Sequence, residues 1–298
     1  MALGWEHALT LVGAFASAGT AQYLSHRLTL NREDEKYQKE RYQNFYAPLV
    51  FKIKNYVIAE AYKLEKVLIT LGRIPKRKDD FILFTFSSLP DSNSILPEII
   101  STIEKNLKYA DLQFIEMYEK HKMHEVQAKD DEAPTITAVR WFSRLTDNLL
   151  VCEKFLMEYL SFSENISVLS NEIKKEIRQV LTSIRLYNLM FKFEFPSTAR
   201  LLFSCTGNYK DVFIAFPDIH EKINIVKQKV NSDIALMIKS TGKDDIYCYE
   251  ELIDLVRSIQ NHINKYENQW DVFRYSAALD EEINADILNK KLLIQQNS

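Results

Sequence analysis

Glycine is scarce in this chain, at 6 of 298 residues, about 2% against a usual level of about 7%. Proline, at 7, is scarce as well. Turn-rich β folds draw on Gly, Asn-Gly and Pro to reverse the chain. Their shortage excludes such folds and favours long helices with few loops. Cysteine is sparse too. Cys152, Cys205 and Cys248 are odd in number and far apart, and they form neither CxxC nor another metal spacing. They read as reduced thiols packed as small hydrophobes. Strong charge of one sign is also missing, the formal net charge being −3. No basic field exists to collect nucleic acid non-specifically, and Lys76, Arg77 and Lys78 read as a solvated loop after Pro75. There is no Gly-rich phosphate loop, no GxSxG and no Cys–His signature. P-loop ATPases and Rossmann enzymes are thereby excluded, and no cofactor or metal is expected. What is present is globular in composition: 46% hydrophobic and 27% charged.

The most distinctive segment is the first. No Asp, Glu, Lys or Arg occurs among the twenty residues from His7 to His26. At 1.5 Å per residue a helix of that length covers about 30 Å, the thickness of a bilayer core. Trp5 and Tyr23 flank it, residue types favoured at membrane interfaces. Ala, Gly, Ser, Thr and Gln22 dilute its hydrophobicity. Three readings fit: a membrane anchor, a helix buried in a protein core or oligomer seam, and a cleaved signal peptide with Ala16-Ser17-Ala18 as its cleavage site. The anchor is preferred, because no Lys or Arg precedes the segment as a signal peptide requires. Gly13, Ser17 and Ala21 recur every fourth residue, a small-residue stripe that lets helices approach closely in lipid. With Val12 and Phe15 they make the expected membrane and oligomer helix. Arg27, Arg32, Lys36, Lys39 and Arg41 follow the segment. The positive-inside rule then puts the remainder in the cytoplasm, on a single pass through the inner membrane.

Beyond the segment, Leu28 to about Leu71 reads as one long helix. It begins as a charged stalk, with Glu35 and Lys39 paired at i,i+4, and turns amphipathic from Tyr42. Pro48 should kink or break it. Ile95 to Val126, Ile136 to Phe162 and Ser170 to Met190 carry helical periodicity. Phe81 to Phe86 is a short strand or a helical turn. Phe191 to Phe216 is aromatic and irregular, interrupted by Pro196 and Gly207, and should pack against the bundle as short helices; Phe191, Phe193, Phe195, Phe203, Tyr209, Phe213 and Phe216 fill a core by default or form a partner surface. Further helices run from Pro217 to Ser240, from Asp244 or Asp245 to Asn268, and from Gln269 to Leu293. The class is all-α: an N-terminal transmembrane or buried apolar helix, then a multi-helix bundle. The expected divisions are 1–28, 29–72, 73–127 and 128–298.

Chemistry-bearing patterns are few. His121 and His124 stand three apart on a helix, a spacing that can share a metal, but no further ligand is near. Arg257-Ser-Ile-Gln-Asn-His262 is an Arg-x4-His pattern on a predicted helix. It resembles the paired Arg and His of the HEPN ribonucleases of prokaryotic immunity and toxin systems. The resemblance implies a site formed across a dimer seam, with Arg257 clamping the scissile phosphate of RNA and His262 acting as acid or base. Ser258 stands where those enzymes favour Asn, His or Asp. The two residues also lie about 140° apart around a helix, so a dimer would have to join them. The layout as a whole resembles the membrane-anchored HEPN-like accessory proteins of type VI CRISPR systems.

The expected function is therefore a membrane-anchored, self-associating helical effector or interaction protein, in a setting of prokaryotic antiviral defence or prophage exclusion. The expected partners are the membrane, further copies of the chain and a protein. RNA is a partner only if the chain is a membrane-tethered ribonuclease. A soluble interaction protein with its first helix buried in an oligomer is the third reading.

Overall fold

The chain leaves its apolar segment as a helical rod. In the computed structural model the described residues are 25–75, 91–127, 137–166, 170–208, 219–240, 250–264 and 270–297. Val12, Gly13, Phe15, Ser17 and Ala21 lie outside them, as do Lys76, Cys248 and Phe81 to Phe86. The described residues are all-helical, without a strand. Among them, no helix is long and apolar enough to cross a membrane.

The rod, α1, covers residues 25–41, and every position from 25 to 37 is exposed to solvent. Even its large apolar side chains are open, Leu28 at 57% and Leu30 at 47%. Lys36 and Glu40 lie 4.0 Å apart along it. The rod does not break ahead of Pro48. A π turn, Tyr42–Tyr46, joins it directly to α2, Ala47–Thr70. Proline lacks the N–H that an α-helix bonds four residues back, and its ring crowds that carbonyl. The wider turn absorbs both problems, with the Ala47 N–H bonding to the Tyr42 carbonyl five residues earlier.

α2 buries Leu49, Ile53, Tyr56, Val57, Leu64 and Leu68, the spacing of one helical face. It ends where Gly72 takes φ 71°. The Arg73 N–H then bonds the Leu68 carbonyl at 2.9 Å and the Gly72 N–H that of Ile69 at 3.1 Å, the paired closure of a left-handed helix stop.

The helix expected over Ile95 to Val126 is two helices, α3 (Ser92–Asn106) and α4 (Leu112–Gln127), with a 3-10 turn at Leu107–Tyr109 between them. Asp111 is the reason. Its carboxylate accepts the Phe114 N–H at 2.7 Å and starts a new helix. There follow α5 (Thr137–Ile166), α6 (Asn171–Lys192), α7 (Pro196–Asn208), α8 (Ile219–Ser240), α9 (Glu250–Asn264) and α10 (Trp270–Asn297). Ser170 caps α6 by accepting the Ile173 N–H at 3.3 Å. Glu194, at φ 63°, reverses the chain into α7.

The stretch after Phe191, expected to pack as short helices, contains a 13-residue helix opened by Pro196. Helix α7 is central, packing on α2, α6 and α10. Ala199, Leu202 and Phe203 on it are buried, and so are Phe193 and Phe195 just before it. These aromatics fill the core. Phe191 is half-buried, and Tyr209, Phe213 and Phe216 lie outside the described residues. α2 also packs on α3, α5 and α6; α8 packs on α6 and α9. Cys152 and Cys205 are buried free thiols.

Candidate functional site

Arg257 and His262 both lie on α9, whose inner face is Leu252, Leu255, Val256 and Ile259. Arg257 is exposed and His262 half-buried. Their helical spacing turns them about 140° apart. Ser258, between them, accepts a hydrogen bond from Lys222 of α8 at 3.2 Å. His121 of the histidine pair is turned into the core. Its Nε2 lies 2.7 Å from Asn148 Oδ1, and Asn148 donates in turn to the Tyr56 hydroxyl at 2.9 Å. His124 is among the side chains outside the description. Among the described residues, no three His, Cys, Asp or Glu side chains gather as a metal would need.

The densest constellation stands where the rod enters the bundle. Arg41, its last residue, donates from Nε to the Tyr109 carbonyl at 2.6 Å. Its guanidinium lies over the rings of Tyr46, at 5.3 Å, and Phe162, at 5.4 Å, close enough for cation–π attraction. Tyr46 and Phe162 are themselves 4.8 Å apart, and Phe45 meets Phe114 and Phe155 edge-on, each at 5.6 Å. Glu158 is set into this aromatic wall, with only a tenth of its side chain exposed and Lys154 Nζ 3.4 Å away.

Burial first, then the facing Asp111 carboxyl, pushes the Glu158 pKa up to about 7. Asp111 moves the other way. Burial alone would raise it, but bonding to Glu158 and to the Phe114 N–H, with the charges of Lys154 and Arg41, carries it below its usual value. Neither Glu158 oxygen has a well-aligned hydrogen-bond partner. Burial raises the Tyr46 hydroxyl too, against the pull of Arg41.

Two carboxyls whose environments separate their pKa values can move protons in an active site. Here they are packed between the rod's root, the start of α4 and the middle of α5.

A second polar set locks α10 onto the centre. The Asp286 carboxylate accepts the N–H and the hydroxyl of Thr198, each at 2.9 Å, and so caps the first turn of α7. Glu282 faces Arg73 at 3.4 Å, and the Tyr275 hydroxyl donates to Glu65 of α2.

A groove of about 390 Å³ opens between α5, α6 and α8. Leu150, Leu189, Phe191 and Ile223 form its apolar lining, and Arg185, Lys192 and Lys227 bring positive charge. Glu153 is the acid in the lining, and it is engaged. Arg185 lies 3.6 Å from it, and Asn188 donates to it at 2.6 Å.

No family model, no curated protein and no solved structure matches the chain.

Sequence reasoning missed the carboxyl pair and the groove. A signal for the first was available. Glu158 stands in helical register with Phe155, Tyr159 and Phe162, a charge on an otherwise apolar stripe. For the groove, Arg185 and Lys192 are seven apart on one face of α6, but nothing in the sequence joins them to Lys227.

Proposed function

We propose that the chain is a membrane-anchored, self-associating helical interaction protein that works by binding. The observation that carries this is the rod. Thirteen successive residues, 25 to 37, are helical and exposed on every side, although a helix of that length is marginal in water on its own. In sequence it directly adjoins the charge-free segment between His7 and His26. A lipid-embedded helix would hold its far end as the aromatic root holds the near one. The basic residues Arg27, Arg32, Lys36, Lys39 and Arg41 follow that segment, which favours a cytoplasmic bundle. The rod holds the bundle about 20 Å from the surface.

Self-association would run through the stripe of Gly13, Ser17 and Ala21. Phe15 and Val12 would face lipid or a neighbouring copy. Antiviral defence or prophage exclusion is the setting that the layout supports.

Carbonate extraction tests the anchor. The full-length chain stays with the membrane pellet, and a chain without residues 1–27 is released. Full-length protein that remains in aqueous solution without detergent overturns the reading. Gly13→Leu with Ala21→Leu should abolish cross-linked oligomers in membranes without releasing the protein.

A further inference from the structure

The groove between α5, α6 and α8 has the composition of a ligand site. We propose that it binds a small amphiphilic anion, one carboxylate, phosphate or sulfonate group on a compact apolar body. The proposal concerns the bundle alone, and it stands whether or not the apolar segment enters a bilayer.

Size is the first argument. About 390 Å³ falls within the range of roughly 300–1,000 Å³ that small-molecule pockets occupy. The lining is the second. Leu189 and Ile223 are buried at the base, while Leu150 of α5 is 44% exposed beside them. A large apolar side chain left open next to a concave surface gains from being covered.

Charge is the third argument, and it selects the ligand. Arg185 and Glu153 form a mostly buried pair, with side-chain exposures of 11% and 14%. Asn188 adds a hydrogen bond to Glu153, and Arg185 donates to Asn224 of α8. That acid is therefore neutralised in place. Lys192 and Lys227 remain, both exposed. Lys192 is held by a neutral acceptor, Asn231 Oδ1 at 2.9 Å, and not by a carboxylate. Two ammonium groups without a carboxylate of their own in the groove, at the edge of an apolar lining, raise the local concentration of anions. They match a ligand whose body enters and whose head stays at the rim.

The probe is 2-naphthalenesulfonate, titrated calorimetrically into the full-length chain, held in nanodiscs of zwitterionic lipid if carbonate extraction shows it anchored and in aqueous buffer if not. One saturable site is expected, weakened by added salt. Neutral 2-naphthol should bind at least tenfold more weakly. Lys192→Gln with Lys227→Gln, both at exposed positions, should weaken the sulfonate at least tenfold and leave the thermal unfolding of the bundle unchanged. Leu150→Trp should block it sterically. A lack of saturable binding, equal binding of the naphthol, or unchanged affinity in the double-glutamine variant overturns the proposal.

Anionic phosphatidylglycerol in the nanodiscs separates the two sources of such a ligand. Competition with the probe assigns a lipid, and unchanged affinity assigns a soluble anion. Both outcomes keep the site.

Discussion

The rod and its root are consecutive stretches of one helical run, yet opposite forces hold them. Residues 25 to 37 are exposed on every side. Their helicity rests on propensity, on charge pairs such as Lys36 with Glu40, and on whatever fixes the two ends. A surface pair of that kind contributes at most a few tenths of a kcal/mol. About two turns later, Phe45 and Tyr46 are buried at 0% and 1% among aromatic side chains from α4 and α5. The lesson is that helical form carries little information about what stabilises it. The rod is solvent-exposed helix, while the root is core.

The largest expected effect tests the root. Phe155, at 0% exposure, meets Phe45, Tyr46 and Phe114. Phe155→Ala should cost about 3–5 kcal/mol in urea unfolding. A loss below about 1 kcal/mol would show that the aromatic wall is not tightly packed.

Protonation comes next. Glu158 is raised to about 7 when folded, so the folded state holds a proton that the unfolded chain releases near its ordinary carboxyl value. Its contribution is present below that ordinary value and is lost as pH rises through about 7. Asp111, held low, works in the opposite sense, and its stabilisation disappears as pH falls. Glu158→Gln keeps the neutral form at every pH. It should therefore flatten the decline between about pH 5 and pH 8 and stabilise the protein at pH 8 by about 2 kcal/mol. Equal slopes in variant and parent would remove the carboxyl pair from the account.

Arg41 marks the border between the two regions. Arg41→Ala removes the bond to the Tyr109 carbonyl and the stacking on Tyr46 and Phe162. About 1–2 kcal/mol should be lost, with faster amide exchange over residues 38–46 than in α7.

The rod itself should give the smallest change. Leu30→Ala, at a position 47% exposed, should shift bundle stability by no more than about 0.5 kcal/mol. Even Glu35→Pro, which breaks the rod locally, should leave the bundle's unfolding where it was. A bundle destabilised by Glu35→Pro would mean that the rod packs against something in solution, and the contrast between exposed helix and core would fail.

Binding and catalysis are separated by a different pair. RNA cleavage by the full-length chain, lost in both Arg257→Ala and His262→Ala, would replace the binding reading with a ribonuclease. Unaltered behaviour of both variants keeps it.

Much of the architecture was legible. Paucity of glycine and helical spacing placed most helices to within a few residues. The errors were local. Where a kink or break was expected at Pro48, the helix makes a π turn, because the hydrogen-bond ladder can shift by one residue instead of ending. One helix became two at Asp111, whose capping carboxylate was hidden inside a continuous periodic pattern. The short helices expected after Phe191 include α7, but Pro196 read as an interruption where it is a helix start. The site was less legible, since its parts are remote: Asp111 from Glu158, and Lys192 from Lys227.

The amino-acid order alone determined the helical class, the charge-free stretch from His7 to His26 and the polar character of the rod. These follow from local propensity and periodicity, which act over a few residues. Which helices meet was decided only by the tertiary structure. Burial of the amphipathic faces set α7 against α2, α6 and α10 and drew Glu158 beside Asp111. It also opened the groove between α5, α6 and α8. Hydrophobic burial is non-directional, so a sequence states which faces seek cover without stating which partner supplies it.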